Sequence, residues 1–284
     1  MTNRLDRLAV RLSGASQNTV PTPIEWPDTI DTNQWFMSPE LISLYGTPLW
    51  DRLDETTQRR LSFFEAVNFF SLNIHGEKPL VAGLAERLYL PEFDSISAYL
   101  HHFLAEENQH MDYFARFCRS YAGKIYPEKR FALPRDVADG EQDIVFFAQT
   151  LIFELIVDHY NNTIANDERI TPLARSINRL HHQDEIRHLI FGRMLLSQLW
   201  AHYGPKWNED TRAAIRDDLL SFITATWQQY YNPDVYIDAE IPDPYETRDL
   251  AWTADGRIAF RAAIERSILV ALRQAGIVNE EHAR

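Results

Sequence analysis

The sequence is nearly without cysteine and short of positive charge, and each shortage removes a class of function. A single thiol, Cys118, cannot close an internal disulfide, and a zinc site built on several thiolates is excluded with it. Its place in the apolar spacing of a helix marks it as core filling. Lys and Arg number 28 against 41 Asp and Glu, a formal charge of −13, which argues against binding a phosphate backbone through clustered cations. No window approaches the roughly 20 apolar residues that a membrane span requires, and Met1 to Ser16 carries arginines but no apolar signal core. A cytoplasmic protein with no nucleic-acid or membrane partner is expected.

What is present is an ordinary globular composition, 45% hydrophobic and 24% charged over 284 residues, enough for one large or two modest domains. Residues 1–54 form an irregular N-terminal wrap by expectation, because Pro21, Pro23, Pro27, Pro39 and Pro48 break helices between Trp26, Trp35, Phe36 and Trp50. Residues 55–204 read as four long helices. The first runs from about Glu55 to Leu90, with a kink expected at Gly76 and Pro79. The second starts at Asp94 or Ser95 and ends at Gly123. A loop with Pro127 and Pro134 leads to the third, after Gly140, and the fourth follows Thr171-Pro172, a cap with Pro at the first helical position. Residues 205–284 add C-terminal helices over Asp210–Tyr231 and Gly256–Ala275, joined by an acidic, Pro-broken surface loop across Asn232–Asp249.

The chemistry lies where polar residues replace apolar ones in the middle of helical stripes. The second helix reads Leu100, Phe103, Glu107, His110, Phe114 and Phe117, and the fourth Ile177, His181, Glu185, His188 and Leu195. Both contain Glu-x-x-His, which sets a carboxylate and an imidazole about one turn apart on one helix face. The third helix carries Glu154 at mid-length, followed on the same stripe by Asp158 and Asn161.

Residues of an antiparallel hairpin meet when they lie equally far from its turn. A turn near residue 169 places Glu154 opposite Glu185, and a turn near 92 or 93 calls for a partner of Glu107 close to residue 78, which Glu77 supplies. Glu65 lies twelve residues earlier, roughly 18 Å further along the helix, and is expected at the surface or in an outer shell. The set is then a Glu plus a Glu-x-x-His from each of two helix pairs, the arrangement of di-iron carboxylate bundles. Four carboxylates gathered in an apolar interior repel one another when empty, and two divalent ions remove the conflict. Carboxylates with imidazoles suit iron or manganese. Asp184 is a candidate acceptor for the outer N–H of a ligating histidine, with Arg187 as its charge partner. His181, four residues before Glu185, shares that face and is a candidate seventh ligand, with His182 as its rival. Phe103, Phe147, Leu151, Phe114 and Phe191 are candidates for an apolar pocket, although stripe residues of this kind more often fill the core.

The pieces Glu107-Asn-Gln-His110, the lone Glu154, and His181-x-x-Asp184-Glu185-x-x-His188, with 27 residues from Glu154 to His181, resemble the AurF family of p-aminobenzoate-type N-oxygenases over about residues 60–200. The resemblance implies an all-α, ferritin-like four-helix di-iron bundle, here with extra helices and the N-terminal wrap. It implies two iron ions, O2 as co-substrate, an external electron donor such as a reductase, an amine-bearing small molecule as substrate in specialised metabolism, and a homodimer. By this resemblance the added histidine separates the family from the broader hydroxylases, desaturases and ferritins. The rival expectations are a di-iron C–H hydroxylase, desaturase or oxidative-cleavage enzyme, and a ferritin-like iron-binding protein, although a storage subunit is shorter and lacks both the wrap and His181.

Overall fold

A computed structural model describes residues 3–18, 23–128 and 138–279; Pro21 and Pro134 lie outside these ranges. Among the described residues the secondary structure is helical, with one isolated bridge between Trp35 and Ile170. No helix among them is long and apolar enough to cross a membrane. The helices are α1 (Asn3–Asn18), α2 (Glu55–Arg87), α3 (Ser97–Phe117), α4 (Glu141–Asn166), α5 (Pro172–Tyr203), α6 (Glu209–Tyr230), α7 (Pro233–Asp238), α8 (Pro244–Thr253) and α9 (Asp255–Gln274).

Two long hairpins, α2 with α3 and α4 with α5, pack into an antiparallel four-helix bundle, and α6 and α9 lie on α4. Helix α2 is buried on most of its circumference from Leu61 to Asn73, since α3, α4, α6 and α7 all pack against it. Asp54 caps α2 by accepting from the Thr57 N–H at 2.7 Å. Thr171 and Pro172 open α5 as expected. Helix α3 runs on through a π-helical turn, Cys118–Ala122, to Gly123, whose φ of 67° provides the left-handed stop. Cys118 is buried, and burial pushes its thiol up to about 12.

Three sequence expectations need correction. Asn3–Asn18 is helix α1, packed on α3 and α5, so the irregular stretch among the described residues is 23–54. That stretch does dock aromatics: Phe36 is fully buried with its ring 5.2 Å from Phe63, and Arg116 lies 4.4 Å from the Trp26 ring. Helix α2 spans Gly76 and Pro79 as one helix, with Pro79 inside it. Pro79 is exposed, on a side where a carbonyl deprived of its donor can face solvent, and Gly76 is a packing glycine. A Cβ there would lie 2.3 Å from Phe153, and one at Gly83 would lie 2.3 Å from Phe146. The two glycines and the two phenylalanines are each seven residues apart, so α4 sets its rings into α2 in antiparallel register.

Residues 232–249 are not a surface loop. They fold into α7 and the start of α8, burying Val235, Tyr236 and Ile241. Glu65 is not at the surface either. It is buried and accepts from the Ser43 N–H at 3.1 Å and from the Ser43 hydroxyl, which also bonds the Tyr236 hydroxyl at 2.8 Å. Glu65 thus ties the N-terminal segment to α7 beneath α2.

Candidate metal centre

Mid-bundle, α2 contributes Glu77, α3 contributes Glu107 and His110, α4 contributes Glu154, and α5 contributes His181, Glu185 and His188. All seven are at most 2% exposed. The inward spacing of three and four along α3 and α5 puts these groups in the stripe that packs the bundle, so folding itself carries them out of water.

Their polar atoms converge. His181 Nε2 lies 3.0 Å from Glu185 and 3.3 Å from Glu77. His188 Nδ1 lies 2.8 Å from Glu107 and 3.2 Å from Glu185. His110 Nδ1 lies 3.5 Å from Glu107 and 3.6 Å from Glu185. Donor atoms of Glu77, His110 and His181, of Glu107, His110 and Glu185, and of Glu154, His181 and Glu185 form three groups whose members lie within 4.8 Å of one another. The structure therefore brings together every residue expected at the site and separates the two pairs of rivals. Glu77 is inside and Glu65 outside; His181 is inside, whereas His182 is bonded to Asp158 on the flank of α5.

The electrostatics are those of a cation site. Burial first, then the negative charges of Glu185, Glu107 and Glu77, push Glu154 well above the ordinary carboxylate range. Burial is also the leading cause that raises Glu77 to about 7. Burial works the same way on Glu185, but the imidazoles of His188 and His181 overcome it and hold that carboxyl well below its usual range. Conversely, burial opposes charge on His188, and Glu185 and Glu107 override it to raise the imidazole well above its ordinary value. Both oxygens of Glu77, Glu107 and Glu154, with His110 Nδ1 and His181 Nε2, are buried without hydrogen-bond geometry to any neighbour, despite the close approaches among them. Orphaned lone pairs of this kind are costly unless a cation collects them. Carboxylate and imidazole donors facing one another in a dry interior fit divalent transition ions.

Each imidazole is held from behind. His110 donates from Nε2 to Asp184 at 3.1 Å, and His188 donates from Nε2 to Glu106 at 2.8 Å. Arg187 binds Glu106 at 2.6 Å and also Asp184, joining the two supports. Asp184 and Arg187 are thus where the sequence placed them, although Asp184 serves the histidine of the other motif. Glu106 was missed, and the signal was available: an acid precedes the Glu of both motifs, Glu106-Glu107-x-x-His110 and Asp184-Glu185-x-x-His188. The third imidazole, His181, has the Asn161 side-chain amide 2.8 Å from Nδ1.

Phe103, Phe147, Leu151, Phe114 and Phe191 are core filling, the role expected more often for such stripe residues, and do not line the cavity beside Glu154. Phe103 stacks on His188 with ring centroids 3.9 Å apart, and Phe114 meets the edge of His181 at 5.0 Å. The open space is on the other side, where a cavity of about 700 Å³ between α2, α4 and α6 reaches Glu154. Helix α6 supplies its far wall, which no motif marked.

A family model described as P-aminobenzoate N-oxygenase AurF matches residues 2–276. No curated protein sequence matches the chain. Among solved structures, a point variant of an R2-like ligand-binding oxidase with an aerobically reconstituted Mn/Fe cofactor superposes with a TM-score of 0.52 at 14% identity, over 95% of this chain and 92% of that one. The R2-like ligand-binding oxidase with the same aerobically reconstituted cofactor after a long soak gives 0.50 at 12% identity, over 96% and 92%. These likenesses establish a ferritin-like fold.

Proposed function

Because the chain belongs to the p-aminobenzoate N-oxygenase AurF family, and on that footing is a di-metal oxygenase or oxidase, we propose that it is an O2-dependent non-haem di-iron enzyme that N-oxygenates a small-molecule amine. The observation that carries this reading is His181, a third imidazole fully buried within 3.3 Å of both Glu77 and Glu185. It exceeds the two histidines that the general di-iron bundle needs.

Glu77, Glu107, His110, Glu154, His181, Glu185 and His188 would hold the two ions. Bound iron, reduced by an external donor such as a reductase, would supply the redox chemistry that cleaves O2. The balance is one amine, one O2, two electrons and two protons giving a hydroxylamine and water: the O–O bond breaks, an N–O bond forms, and the second oxygen leaves as water. The chain's own part is positional. Glu106 and Asp184 fix the faces of His188 and His110, Arg187 holds those two acids in place, and the phenyl rings of Phe103 and Phe114 exclude water from the imidazoles.

The test is metal analysis of the reconstituted chain, followed by product mass spectrometry with isotopically labelled O2, a reductant and a panel of amines. Roughly two ions per chain and label on nitrogen are expected. Fewer ions, or label only on carbon, would overturn the reading. The two similar structures carry Mn/Fe, and the same metal analysis distinguishes a mixed pair from two irons. His181→Ala is expected to lose metal and activity, and a variant that keeps both would make this histidine a bystander.

A further inference from the structure

The cavity between α2, α4 and α6 has a composition that selects among amines. Its volume, about 700 Å³, lies within the roughly 300–1,000 Å³ typical of small-molecule pockets. Phe146, Phe153, Phe222 and Tyr230 present aromatic surface to it, which suits a flat ring. Among the described residues its lining carboxylates are Glu128, Asp218 and Glu154, its one imidazole is His75, and neither Lys nor Arg lines it. Lys78, exposed on α2, pairs with Glu128 at 3.4 Å and adds no cation to the interior.

Two hydroxyls in this cavity lack partners. Thr226 Oγ1 and the Tyr230 OH, one turn apart on α6, line it and are buried without a hydrogen bond. A buried hydroxyl left unmatched costs free energy that a bound ligand recovers, and each can both donate and accept. Both hydroxyls line the same cavity as the metal-site carboxylate Glu154.

Resting on the N-oxygenase reading above, we propose that this cavity is the substrate chamber and that its substrates are uncharged aromatic amines bearing no acidic group. The amino nitrogen bonds the Thr226 and Tyr230 hydroxyls near Glu154, and the ring lies against the phenyl groups of α4 and α6. An aminobenzoic acid, despite the family's description, is disfavoured: its carboxylate would leave water with no Lys or Arg among the described lining residues to receive it and would face Asp218 or Glu128.

Calorimetric titration of the metal-loaded full chain tests this with two matched pairs, p-toluidine against p-aminobenzoate and p-cresol against p-hydroxybenzoate. The amine-free pair isolates charge preference from N-oxygenation. In both pairs the uncharged compound is expected to bind at least about tenfold tighter. Ser221→Arg, which sets a cation on the exposed edge of the cavity, is expected to improve p-aminobenzoate binding about tenfold. Tyr230→Phe is expected to weaken p-toluidine severalfold at unchanged metal content. Carboxylated compounds binding within about twofold of their uncharged partners, or a gap untouched by Ser221→Arg, would overturn the proposal. The expected binding preference without any N-oxygenated product would support the chamber and overturn the N-oxygenase reading instead.

Discussion

Glu106 accepts a hydrogen bond from His188 Nε2 at 2.8 Å, so the acid that precedes the α3 motif orients the histidine of the α5 motif. Asp184 does the same in mirror image, accepting from His110 at 3.1 Å. The relation comes from antiparallel packing of two like motifs: the residue before each Glu points across the interface at the partner's imidazole. A carboxylate there fixes the ring, keeps its outer nitrogen protonated, and turns Nδ1 inward as a lone-pair donor.

Glu106→Ala and Asp184→Ala are therefore each expected to weaken metal retention roughly 10–100-fold with helix content unchanged. Competition against a chelator, followed by circular dichroism, checks both halves. Equal retention in wild type and both variants would show that the supports are ornamental.

Asn161 should matter through polarity rather than bulk. The Asn161 side-chain nitrogen lies 2.8 Å from His181 Nδ1 and donates to it as placed; when His181 uses Nε2 as a ligand, Nδ1 carries the proton, and a turn of the amide presents its otherwise unpartnered oxygen as the acceptor. Asn161→Leu should lower metal occupancy about tenfold, whereas Asn161→Asp, which retains an acceptor, should restore most of it. The readout is bound metal per chain after dialysis.

Glu154→Gln should move stability in opposite directions with and without metal. Burial, and then like charge from its neighbours, makes this carboxyl a burden in the empty bundle, so the metal-free variant should melt higher, by about 1–3 kcal/mol in stability. The metal-loaded variant should melt below loaded wild type, because a ligand is gone. Thermal melts in chelator and in excess metal give both signs.

Glu65 offers a pH test away from the metal. Its carboxyl is raised from 4.5 to about 7, chiefly by burial and in spite of Ser43. A raised carboxyl binds its proton more tightly in the folded state, so its contribution is complete below about 4.5 and is lost as pH rises through about 7. Metal-free Glu65→Gln should gain on wild type between these limits by at most roughly 3 kcal/mol, then run parallel to it, while binding metal normally. Urea melts at pH 5, 6, 7 and 8 expose the slope, and loss of metal would return Glu65 to the ligand set.

Gly76→Ala should act on the cavity more than on the fold. The new Cβ lies 2.3 Å from the tip of Phe153, a ring that lines the cavity and can swing into it. A stability loss of about 1–3 kcal/mol is expected, with a marked loss of p-toluidine binding. Unchanged binding, measured by the same titration, would show that the ring retreats elsewhere.

The sequence alone determined those parts of the protein that depend on local period: the four bundle helices, the inward faces of Glu107, His110, Glu154, His181, Glu185 and His188, and, through equal distances from two turns, the choice of Glu77. Helix geometry repeats every 3.6 residues, so side-chain direction along one element can be read from spacing. Tertiary structure decided what several elements make together. The close seating of Phe153 against α2 depended on the space that Gly76 leaves. Folding of residues 232–249 depended on Tyr236 finding Ser43 and Glu65. The pairing of Glu106 with His188 and the acidic, aromatic chamber walled by α6 arise from side chains on helices far apart in sequence, and no period within one helix records which neighbour it will face.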